Sequence, residues 1–328
     1  MINFTNDINW FLSPVVDQLQ LDEHNTSRIA RILVEAGNTS CFLTQSVSHD
    51  SNYRNTNIIN LSSSRLIIDE IHSLHQVIKT ADDLKFFGVH GSSIDGSFIR
   101  GWSDIDCIAV IDTDALTSPS RLIRLKLLFN KINSVLKQVD PYCHHGALCL
   151  PESILNHYDD RFPPIFAYNQ IVGIKGELPT LRVSQAKGPG TRLVNIQKMI
   201  CEFMESGLLK HHSYYGRYLE SNYRVSKQGF YQLKYLINVC SNIPCLWLSD
   251  NNSPSDKSVS FEIAREYIGN HELFSRLDDI RCIDWESESK GIRANEIPQT
   301  LLDALPTNFL RMINSCIQNL IEVKYELS

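Results

Sequence analysis

The chain has 328 residues, 43% of them hydrophobic, and a formal net charge of −6, which gives it apolar content for buried cores and length for two domains. The acidic balance argues against a surface broadly coated with nucleic acid, although a local basic patch remains compatible with it. Nine cysteines are scattered without a C-x-x-C pair, which indicates neither a zinc ribbon nor a disulfide framework and points to a reducing compartment.

The first residues, MINFTNDINWFLSP, lack the basic start and unbroken apolar run of a signal peptide. No segment reaches the apolar length that crosses a bilayer. A soluble, cytoplasmic protein with no membrane partner is expected, and oligomer formation stays open. Residues 1–80 carry helical spacings, Ile29, Ile32 and Leu33 and later Leu66, Ile67, Ile71 and Leu74, interrupted by the polar stretch 48–57. They read as an N-terminal helical extension broken by a loop. A mixed region follows over 81–185: a strand 84–90, a helix-like turn, a strand 105–111, a helix 120–137 and a strand 146–150. In that helix Leu122, Leu125, Leu128, Phe129, Ile132, Val135 and Leu136 recur every three or four residues. Gly188, Pro189 and Gly190 inside 182–192 mark a boundary. Helical patterns dominate the remaining region, 186–328, at 194–209, 230–239 and 310–323. The expected class is α+β, a small mixed sheet with helices followed by an all-helical C-terminal domain.

The chemistry concentrates in GSSIDGSFIRGWSDIDCIAVI, residues 91–111. Asp104 and Asp106 stand at i and i+2 of an expected strand, so their side chains point the same way, about 6–7 Å apart. Such carboxylates repel each other unless one takes up a proton. A divalent cation removes the conflict, and Mg²⁺ is commonly held by one or two carboxylates plus substrate phosphates. Gly91, Ser92 and Ser93 follow strand 84–90 as a turn that can open a helix, where glycine admits a close ligand and free N–H groups attract anions. Arg100, in the connecting loop, suits a further phosphate contact. The same residues would also suit a plain turn and a plain strand start.

Gly-Ser, a spacer of this length and Asp-x-Asp on a strand resemble the nucleotidyltransferase superfamily typified by DNA polymerase beta, kanamycin nucleotidyltransferase and the minimal nucleotidyltransferases. The resemblance implies Gly91 and Ser92 at a nucleoside triphosphate, with Ser93, Arg100 and Ser103 beside them, and Asp104 and Asp106 as ligands of Mg²⁺ or Mn²⁺. It also implies one more carboxylate on a later strand. That region reads VDPYCHHGALCLP: Asp140 is the acid near it, and His144 and His145 lie closer to the expected place. A neutral imidazole can act as general base near pH 7. It can equally bind substrate or close the start of a strand.

The string Asp-Pro-x-x-His-His-Gly is similar to that of a group of bacterial and archaeal proteins in which a nucleotidyltransferase core precedes a helical domain bearing Lys-x-x-Ser-Phe. Lys257, Ser260 and Phe261 match that later element. The C-terminal half is similar as well to the helical substrate domain of aminoglycoside nucleotidyltransferases, which implies Lys257 at the nucleotide. As a plain residue it reads as a solvated lysine at a helix start. Aromatic and basic residues interleave from His211 to Tyr235, a composition that can hold RNA or the base of ATP. The i, i+4 spacing of Tyr214 and Tyr218, and of Tyr231 and Tyr235, argues more strongly for packing between helices. Arg265 and His271 have a spacing that resembles a nuclease motif of small helical domains, and also suits an amphipathic helix end.

The expected activity is a Mg²⁺-dependent transfer of a nucleoside monophosphate from a triphosphate, ATP foremost, to a hydroxyl of an acceptor: a small molecule, a protein or a tRNA end. The alternative is a degenerate nucleotide-binding module, regulatory or of a toxin or defence type, that acts through a protein or RNA partner.

Overall fold

A computed structural model describes residues 51–53, 68–95, 98–140, 146–157, 171–179, 181–183, 193–194, 196–198, 200–201, 229–250, 257–268, 271–288, 299–305 and 307–322. The described residues up to 183 fall in one compact unit and those from 193 onward in another.

Among the described residues the first unit starts with strand β1 (Ser51–Tyr53). Helix α1 (Ile68–Ile78) follows, burying Ile71, Leu74 and Ile78 on the single stripe that a 3.6-residue period dictates. Strand β2 (Leu84–His90), the one-turn helix α2 (Ser92–Asp95) and strand β3 (Asp106–Ile111) come next. A 3₁₀ turn, Thr113–Thr117, leads into helix α3 (Pro119–Val139). Pro119 suits the first helical turn, where its missing N–H costs no hydrogen bond. The chain continues through β4 (Leu148–Pro151), a second 3₁₀ segment (Glu152–His157), β5 (Val172–Lys175) and β6 (Leu181–Val183).

Four strands form a mixed sheet in the order β4-β3-β2-β5. β2 is antiparallel to β3 and to β5, whereas β3 and β4 are parallel. Parallel neighbours need a crossover, and α3 supplies it, packing against α1. The sheet interior is apolar throughout: Leu84, Phe86, Phe87, Val89 and Ile108 to Ile111 are all buried, as are Leu122, Leu125, Phe129, Ile132 and Leu136 of α3. Each such side chain, fully buried, contributes about 1.5–3 kcal/mol.

The far edge of this sheet, where β2 starts and β3 ends, is tied by charge. Arg121 donates from Nε to Asp83 at 2.7 Å and from Nη2 to Asp112 at 2.9 Å. Asp112 also accepts from the Asp114 N–H at 3.0 Å. The Arg121 hydrogen bond, then that N–H, hold the Asp112 carboxyl below the usual carboxylate range. On β5, Lys175 Nζ donates to the carbonyls of Ile78 and Ala81 at 3.1 and 2.6 Å, which also accept the backbone N–H groups of Ala81 and Leu84, so the lysine ties the turn after α1 to the sheet.

Among the described residues the second unit is built of helices: α4 (Gly229–Ser241), α5 (Ile243–Asp250), α6 (Lys257–Ile268), α7 (His271–Arg281), α8 (Trp285–Glu288), α9 (Gln299–Ala304) and α10 (Phe309–Glu322). Phe309, Ile313, Cys316, Ile317 and Leu320 make the buried stripe of α10. The indole of buried Trp285 donates to the Ile280 carbonyl at 2.8 Å. No described helix is long and apolar enough to cross a membrane.

Two local expectations change. The polar stretch 48–57, expected as a loop, contains β1, which pairs antiparallel with β6 as Ser51↔Val183 and Tyr53↔Leu181. A fourth strand, β5, joins the sheet at β2, where three strands were expected. Both are strands of three or four residues whose partners lie far away in sequence, so no local alternation announces them.

Candidate functional site

Because β2 and β3 are antiparallel, the end of one meets the start of the other, and their final pair is His90↔Asp106. Gly91, the next residue, has φ +69°, in the left-handed region that side chains disfavour. A Cβ built there would lie 2.7 Å from Oδ2 of Asp106, too close for a carbon and an oxygen. Glycine is therefore what allows the Asp106 carboxylate to lean over the turn. The fold brings together two of the residues that the sequence motif singles out.

The turn is closed from inside. The Ile94 N–H donates to the Gly91 carbonyl at 3.0 Å, and the Ser93 hydroxyl donates to the His90 carbonyl at 2.8 Å. Ser93 is 4% exposed, so its proton is occupied within the fold, whereas Ser92 is half-buried. Helix α2 has four residues. So short a helix sums few peptide dipoles, and anion attraction would rest on the backbone N–H groups of the turn itself.

Asp104 comes two residues before β3. It and Asp106 are half-buried, and between them Ile105 is buried, as expected of an extended chain with its acids on one side and its apolar residue on the other. The loop that delivers Asp104 is also locked. Ser103 N–H donates to the Ile99 carbonyl at 2.8 Å, while Ile99 N–H donates back to Ser103 Oγ at 3.0 Å. Gly101 (φ +80°) makes the bend, and buried Trp102 anchors it. Arg100 is exposed in this loop.

Asp140 ends α3, its N–H donating to the Leu136 carbonyl at 3.1 Å, and it is buried. Since β3 and β4 are parallel, with Ile108 beside Leu148, the crossover returns the chain to the sheet end where β3 begins. Asp140 thus closes the helix that leads back towards the Asp106 end. His144 and His145 lie outside the described residues. Strand β4 (Leu148, Cys149, Leu150, Pro151) carries no carboxylate, and burial pushes the Cys149 thiol well above its ordinary pKa, which leaves it protonated and a poor nucleophile.

Lys257 opens α6 in the second unit. In the same string Ser260 and Phe261 are buried, and Phe261 stacks edge-on against Phe274 with centroids 5.3 Å apart, so these two residues pack the helices. Arg265 is half-buried on α6, and His271 opens α7. Of the aromatic and basic stretch, residues 211–228 lie outside the described residues, and Lys234 is buried on α4.

Sequence reasoning missed His90 as a neighbour of Asp106. The signal available was only its place as the last residue of β2, since the pairing depends on the register across the sheet. A carboxylate such as that of Asp106, beside a backbone without a side chain, suits Mg²⁺, whose remaining positions water and phosphate oxygens can fill. Among the described residues no group of three or more His, Cys, Asp or Glu is placed to hold a metal ion. No family model, no curated protein and no solved structure matches this chain.

Proposed function

We propose that this protein is a Mg²⁺-dependent nucleotidyltransferase, with a core around the four-stranded sheet and a helical substrate or partner domain over 186–328. One observation carries the reading: the Gly91 backbone sits against the Asp106 carboxylate, with a Cβ position 2.7 Å from Oδ2, so a phosphate cradle and a cation ligand share one end of the sheet. In the reaction the bond between the α-phosphorus and its bridging oxygen breaks, a bond to the acceptor oxygen forms, and pyrophosphate leaves. Asp104 and Asp106 hold Mg²⁺, which supplies neutralisation of the triphosphate charge. Gly91 leaves room for a phosphate to approach the backbone, Ser92 offers a hydroxyl to it, and Arg100 offers a cation. The acceptor's proton passes to Asp140, His144 or His145. Catalysis of this kind is mostly positioning and charge stabilisation.

A second reading, a nucleotide-binding regulatory or defence-type module without turnover, is favoured by the absence of an acid on β4. Single-turnover incubation with each labelled nucleoside triphosphate, Mg²⁺ or Mn²⁺ and cell extract separates the two. The enzyme transfers label to an acceptor, and Asp104→Ala with Asp106→Ala abolishes the transfer. Tight nucleotide binding by calorimetry with no transfer by the wild type overturns the first reading in favour of the second.

A further inference from the structure

The last pair of the β2–β3 ladder is His90↔Asp106. Residues directly opposite each other in an antiparallel pair project from the same face of the sheet, with Cβ atoms about 4.5–5.5 Å apart. The preceding pair, Val89↔Cys107, projects from the other face and is buried on both strands, whereas His90 and Asp106 are half-buried. The imidazole therefore stands on the Asp106 side, at the end of the sheet where the Gly91 turn begins. Its backbone is also held, because the His90 carbonyl accepts the Ser93 hydroxyl at 2.8 Å.

We infer that His90 is a positioning residue for the cation site: its ring N–H donates to the Asp106 carboxylate and keeps the other oxygen turned towards the ion. This deepens the nucleotidyltransferase reading and rests on it. Hydrogen-bond partners of ligating carboxylates set the orientation and basicity of the ligand, and their loss weakens metal affinity about 10–100-fold.

The test is titration of the full chain with Mn²⁺, following the electron paramagnetic resonance signal of the free ion. His90→Ala is expected to weaken Mn²⁺ binding about 10–100-fold, while His90→Gln, which keeps an N–H donor at similar reach, recovers most of it. His90→Met, with bulk and no donor, replaces the alanine variant if that fails to fold. A folded His90→Ala or His90→Met with wild-type Mn²⁺ affinity overturns the inference. Asp106→Ala separates the levels: if it alone loses Mn²⁺, His90 has no positioning role and the site stands. If Asp106→Ala binds Mn²⁺ as the wild type does, the cation site is misplaced and both fall.

Discussion

Substituting Gly91 by alanine tests the contact on which the candidate site is built. The residue sits at φ +69°, and an L-residue in the left-handed region costs about 1–2 kcal/mol. The new Cβ would also lie 2.7 Å from Asp106 Oδ2, so the carboxylate must turn away from its preferred rotamer, at about 0.5–1.5 kcal/mol. Gly91→Ala should therefore destabilise the protein by about 1.5–3.5 kcal/mol. In an Asp106→Ala background only the backbone part remains. A double-mutant cycle, read by urea unfolding under far-UV circular dichroism, should return a coupling of about 0.5–1.5 kcal/mol. If Gly91→Ala costs the same with and without the Asp106 carboxylate, to within about 0.3 kcal/mol, the acid does not lean over the turn and the reasoning fails.

The charge cluster at the opposite end gives a pH dependence with a defined sign. Asp112 has a lowered carboxyl pKa, chiefly through the Arg121 hydrogen bond, so its contribution is present above the unfolded value of about 3.9 and is lost as pH falls through the lower folded value. Urea midpoints measured from pH 6 down to about pH 3 should fall less steeply in Arg121→Met than in the wild type; parallel curves would refute the coupling. At neutral pH the same substitution should cost about 1–2 kcal/mol, since the partners are only partly buried. Lys175→Met removes both donations to the carbonyls of Ile78 and Ala81 and should cost about 1–2 kcal/mol. Native-state hydrogen exchange should show the loss as faster exchange at the Ala81 and Leu84 amides, which donate to the same carbonyls, and unchanged protection there would count against the tie.

What could be read from residues alone follows from how local each signal is. LKFFGVH is an apolar run bounded by Asp82, Asp83 and Gly91, and β2 occupies Leu84–His90 as expected. The helix expected at 120–137 extends to Pro119–Val139, because a proline belongs in a first turn and Asp140 continues the backbone hydrogen bonding to Leu136. The strand expected at 146–150 starts later, at Leu148, since Gly146 at φ +63° is still turning. Strands β1 and β6 could not be read, because each has three residues and each is stabilised by the other across a long stretch of chain. At the candidate site, the nearness of Gly91 to Asp106 was legible as a motif with the right spacing. The place of His90 was not, nor was the internal use of the Ser93 hydroxyl, because both depend on which residues the ladder sets opposite each other.

That alignment hangs on a single irregularity at the charged end. Leu84 lies opposite Ile111, but Phe86 lies opposite Val110, so β2 accommodates one extra residue, Lys85, before the pairing runs evenly to His90 and Asp106. Gly176, at φ +71°, leaves the room that the Lys85 carbonyl needs, since any side chain there would collide with it. Without that bulge the partner of His90 would become Ile105, and the acid would lose its imidazole neighbour although every residue of the motif was intact. An insertion or deletion of one residue near Lys85 would thus act at a distance, re-indexing the far rim of the sheet while leaving its composition untouched.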